Sequence, residues 1–83
     1  MRDAVYTLSP QWKEELVCTC AAGRFVLQFD MGVPTVYFPT AARWPSAAPA
    51  WAATHWQALH DQLVNWCKFN NAALVVEDRA PVY

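Results

Sequence analysis

Only two of the 83 residues are glycine, Gly23 and Gly32, and they stand apart in the chain. Two separated glycines cannot build the glycine-rich cradle that wraps backbone N–H groups around a phosphate. Charge is sparse as well: charged residues make up 16% of the chain, against about a quarter in an ordinary globular protein. Six basic and seven acidic residues give a net charge of −1 and are scattered singly or in pairs. Arg2, Lys13, Arg24, Arg43, Lys68 and Arg79 therefore form no basic run, and no field for nucleic-acid phosphates is expected. No segment reaches the roughly 20 apolar residues of a membrane span. The opening MRDAVYTLSP lacks the apolar run of a secretion signal. A cytoplasmic location is expected, with no membrane and no nucleic acid among the partners.

The three cysteines are an odd number, and two of them sit at Cys18-Thr19-Cys20. That is no disulfide framework and suits thiols in a reducing compartment. No glycine-rich elbow ties a nucleophile to a base. The carboxylates come as the adjacent pairs Glu14/Glu15 and Glu77/Asp78, which point apart on extended chain and make no acid/base couple. No catalysis and no cofactor are expected.

What is abundant is apolar surface: hydrophobic residues make up 55% of the chain and aromatics 14%, with five tryptophans. A chain this short is one domain, residues 1–83, and buries only about 60–65% of the surface exposed when unfolded. Apolar surface beyond what such a core uses calls for a partner protein or a second copy.

Ser9-Pro10 reads as a cap followed by a first-turn proline, predicting a helical turn over residues 10 to 14 that holds Trp12. From Glu15 the period becomes two. Leu16, Cys18 and Cys20 oppose Glu15, Val17 and Thr19, predicting a strand. After the turn Ala21-Ala22-Gly23, residues 24 to 30 alternate Phe25, Leu27 and Phe29 against Arg24, Val26, Gln28 and Asp30. Residues 31 to 34 reverse the chain again, and 35 to 38 supply a third strand. Pro39, Pro45 and Pro49 punctuate a connector in which Thr40 is placed to cap a short turn through Trp44. Asn70-Asn71 stops the following helix, and 73 to 76 form a last short strand.

The helix is expected over residues 51 to 70. At about 100° per residue, Ala52, Trp56, Leu59, Leu63 and Trp66 form the centre of a buried stripe. Trp51 and Phe69 lie at one margin, and His60 at the other, near Cys67. His55 falls inside the stripe as a neutral imidazole bonded to a backbone carbonyl. His60 and Cys67 are separated by about 10 Å of helical rise and cannot share one ion. His55 and His60 diverge by roughly 140° around the axis. Cys18 and Cys20 share a strand face and are read as small core hydrophobes.

The expected architecture is α+β: a small antiparallel sheet, made of a three-stranded meander plus a C-terminal strand, covered on one face by one long amphipathic helix, in the order β-β-β-α-β. A single helical return makes the last strand parallel to the first and third, and placing it beside the first gives the order 3-2-1-4. The other sheet face, with Val17, Val26, Tyr37 and Trp12, is then left bare. The expected function is a non-catalytic interaction module, binding a second copy or a larger protein. Arg43, Trp44, Trp51, Phe69 and Tyr37 are its candidate contact residues, since Trp, Tyr and Arg are the usual interface anchors. The alternative is a ligand or metal site using His55, His60, Cys18, Cys20 and Cys67.

Overall fold

The computed structural model describes residues 5–11 and 14–83. Its elements are β1 (Thr7–Gln11), β2 (Glu15–Cys20), β3 (Gly23–Asp30), β4 (Thr35–Phe38), α1 (Trp44–Ala47), a 3-10 turn (Ala50–Ala52), α2 (Trp56–Phe69) and β5 (Ala73–Val76). The five strands form one sheet in the order β1-β2-β3-β4-β5. The first four are antiparallel neighbours, and β5 runs parallel to β4. The fold is α+β, with the period-two segments as strands and the amphipathic segment as the long helix.

Three expectations need correction. Pro10 and Gln11 belong to β1 rather than to a helical turn, because an edge strand tolerates a residue without an N–H as readily as a helix start does. Trp12, assigned to that turn and to the bare sheet face, lies outside the described residues. The C-terminal strand pairs with β4 and not with β2. The reason is β1: it already occupies the flank of β2, so the helical return lays β5 on the flank of β4 instead. Finally, the long helix begins at Trp56 and not at Trp51, which sits in the 3-10 turn after Pro49.

Register fixes the two faces. On the inner face Leu8, Cys18 and Phe25 stand in one row, and Pro10, Leu16 and Leu27 in the next. Phe29, Val36 and Leu74 form a third row, and Phe38 pairs with Val76. Leu59, Leu63 and Cys67 of α2 close over these rows. On the outer face one row runs Gln11, Glu15, Gln28, Tyr37, Val75.

β4 pairs only with residues 28 to 30 of β3. The chain's final segment fills the vacancy left where Pro39 turns β4 away. Val26 and Tyr83 exchange both backbone hydrogen bonds, at 3.2 and 3.0 Å, and Leu27 bridges to Val82. A second outer row therefore runs Ser9, Val17, Val26, Tyr83.

Candidate interaction surface

Trp44 is wholly buried, and this removes it from the contact candidates. Its ring lies between Phe25 and Phe38, with centroids 5.4 and 5.2 Å away, and its Nε1 donates to the Ala52 carbonyl at 2.8 Å. The prolines around it mark a connector that runs over the surface and seats Trp44 in the core. Trp51 is half-buried and covers Gly23, where an added Cβ would stand 2.8 Å from its Cζ2. Arg43 is exposed ahead of α1, Phe69 is 84% exposed at the end of α2, and Tyr37 is half-buried on the outer sheet face. These four belong to different elements: the 3-10 turn, the lead into α1, the end of α2 and β4.

The second candidate set is also divided. His55 immediately precedes α2, and its Nδ1 shares a 2.8 Å hydrogen bond with the hydroxyl of Tyr6. Its partner is thus a phenol and not the expected backbone carbonyl. Tyr6 is bound further by its N–H, which donates to Gln62 Oε1 at 2.7 Å. Burial holds the Tyr6 hydroxyl well above its ordinary pKa, and the neighbouring Cys20 thiol adds to the shift. His60 is at the other flank of α2, stacked on Trp56 at 4.9 Å and near Phe38. Cys18 is fully buried, and desolvation pushes its thiol from 9.0 up to about 12. Burial likewise raises Cys67, whose Sγ donates weakly to the Ala73 carbonyl at 3.8 Å. Among the described residues no three His, Cys, Asp or Glu side chains converge as a metal site.

The chain matches no family model, no curated protein and no solved structure. What it could bind has to be read from its own surface.

The two sheet edges differ. β1 contains Pro10, which lacks an N–H and blunts that edge. β5 is Ala-Leu-Val-Val, with no charge, proline or bulge, and among the described residues no strand lies beyond it. An edge of that kind is a ready template for another extended chain. Val76 on it is 39% exposed, and Val64 on α2 is 45% exposed. Val64 lies on the same helical flank as His60 and Cys67, at spacings of four and three. That flank faces β5, since Cys67 reaches Ala73 and His60 stacks towards Phe38, the partner of Val76.

On the outer sheet face Val17, Val26, Tyr37 and Val75 remain half-exposed, and Tyr83 is 70% exposed. The alternation of β2, β3 and β4 had already pointed to Val17, Val26 and Tyr37. The β5 edge was missed because the strand order was misassigned. The signal for it lay in the N-terminal segment, where Tyr6, Leu8 and Pro10 recur at period two. Reading them as a strand covers β2 and leaves β5 at the margin.

Proposed function

We propose that the protein is a non-catalytic protein-interaction module that binds through the β5 edge and the apolar side chains beside it. The observation supporting this most directly is the contrast between the two edges: one is blunted by Pro10, the other is an uncharged apolar strand beside exposed Val64 and Val76. Strand addition supplies affinity from main-chain hydrogen bonds, and specificity from pockets that receive alternate side chains. The helix flank above β5 and the bare sheet face below it offer apolar contact to both sides of an added strand. Light scattering on the purified protein, together with affinity capture from its native host, tests the proposal. Expected is either a mass above that of one chain or stoichiometric capture of a second protein that competes for β5. A monomeric mass with no captured protein would overturn it.

A further inference from the structure

We propose that the occupant of the β5 edge is the β5 edge of a second copy, paired antiparallel about a two-fold axis beside Val75. This rests on the interaction module proposed above and names its partner. In a parallel pair, the N–H and C=O of one residue turn to the same side. Ala73 donates to the Pro34 carbonyl at 2.8 Å and Glu77 to that of Phe38 at 2.9 Å. With Val75 between them, these residues direct their backbone groups to β4. Leu74 and Val76 direct theirs to the open edge.

A two-fold antiparallel pair must set outward-facing residues opposite one another. Centring it on Val75 places Leu74 opposite the partner's Val76, and by symmetry the reverse, and each such pair exchanges both N–H···O bonds. Centring on Leu74 would require the N–H of Ala72, which is already donated to the Cys67 carbonyl at 2.9 Å. Centring on Val76 would set Leu74 against Asp78, which lies in a turn and accepts from Thr40 Oγ1 at 2.6 Å. The backbone thus selects a single register.

The side chains and charges agree with that register. The axis stands normal to the sheet, so like faces join and both α2 helices lie on one side, their Val64 flanks turned towards the axis. On the other side Val75 meets the partner's Val75 in a non-hydrogen-bonded pair, whose Cα atoms stand about 4.5 Å apart. Glu77 falls opposite the partner's Ala73, so no two like charges are directly opposed. Exposed Lys68 lies in the last turn of α2, at the start of β5, while Glu77, Asp78 and Arg79, with one net negative charge, follow its end. Antiparallel pairing carries each copy's Lys68 towards the other's acidic end. This charge match distinguishes a second copy from an arbitrary extended peptide.

The test is sedimentation equilibrium from micromolar to near-millimolar concentration, with amide hydrogen exchange at β5. Wild type is expected to be a dimer in which the Leu74 and Val76 amides are protected when paired and exchange on dilution. Val75→Lys and Val75→Glu alter a half-exposed outer-face residue and leave the core intact, as circular dichroism checks. Each sets like charges opposite one another, and a cost of several kcal/mol weakens self-association by about a hundredfold or more. An equimolar mixture of the two variants should restore the dimer. A monomeric wild type would overturn self-pairing, and so would a dimer indifferent to both variants or one whose Leu74 and Val76 amides exchange freely. A monomer that still captures another protein through β5 would overturn only self-pairing; the interaction module itself would stand.

Discussion

Trp44 and Trp51 show how differently two tryptophans in one short segment are used. Trp44→Ala would empty a fully buried site and strand the Ala52 carbonyl that its Nε1 serves, so it should cost about 3–5 kcal/mol. Much of a small domain's stability would be lost, and the variant should melt far below wild type. Trp51→Ala uncovers the Gly23 turn and removes a half-buried ring from beside Phe25 and His55, and should cost about half as much, as urea titration would show. Hydrophobicity identified both residues. What it could not tell was their burial, which depends on where the proline-punctuated connector lies over Phe25 and Phe38. The cysteines were legible as core hydrophobes, because alternation alone puts Cys18 between Leu16 and Cys20 on the inner face. Their burial makes stability depend on pH. The Cys18 thiol ionises near 9.0 when unfolded and near about 12 when folded. Above pH 9 the unfolded chain therefore releases protons that the native state retains, and stability falls as pH rises towards 12. Cys67 and Tyr6 shift in the same direction. Relative to pH 8, urea unfolding should show a loss of about 2 kcal/mol by pH 10.5. Cys18→Ala should reduce that loss.

Among the elements, β2, β3 and β4 were legible because half-buried strands alternate, β5 because a short apolar run follows the helix stop, and α2 because its apolar stripe follows the helical period. The start of α2 was less legible. A wheel drawn from Trp51 keeps Ala52 on the buried side, and a 3-10 turn keeps it there too, so periodicity alone cannot separate them. The end of α2 was marked by Asn70-Asn71. Asn71 has φ 52°, and the Ala72 N–H returns to the Cys67 carbonyl at 2.9 Å, closing the helix as a Schellman turn. Glycine carries no penalty in that left-handed conformation. Asn71→Gly should raise stability by a few tenths of a kcal/mol, and Asn71→Val should lower it by about 1 kcal/mol or more, both read from urea midpoints.

For the whole molecule, strand order was the least legible property, because it depends on which flank is vacant and not on any local pattern. Once β1 is paired with β2 that flank is closed, and of the two outer flanks that remain, β1 and β4, the return through α2 reaches β4. The final segment shows the same dependence on distant parts: it enters the sheet because β4 stops short of residues 26 and 27. Deleting residues 77 to 83 would remove the two Val26–Tyr83 hydrogen bonds, the bond from the Glu77 N–H to the Phe38 carbonyl, the Thr40–Asp78 bond and the burial of Ala80. A loss of about 4–5 kcal/mol is expected by calorimetry, from roughly 1 kcal/mol per hydrogen bond plus lost apolar burial. The row Ser9, Val17, Val26, Tyr83 also brings β1 and the segment at Tyr83 into neighbourhood across the sheet. With neighbouring strands about 4.8 Å apart, Ser9 and Tyr83 are separated by roughly 14 Å. A flexible linker of about eight residues could join residue 83 to residue 5, and the exposed turn at residues 31 to 33 offers a place to reopen the chain. The resulting circular permutant would begin with β4 and end with β3. It should adopt the same sheet from a reordered gene, because none of the contacts that define the fold depends on where the chain starts.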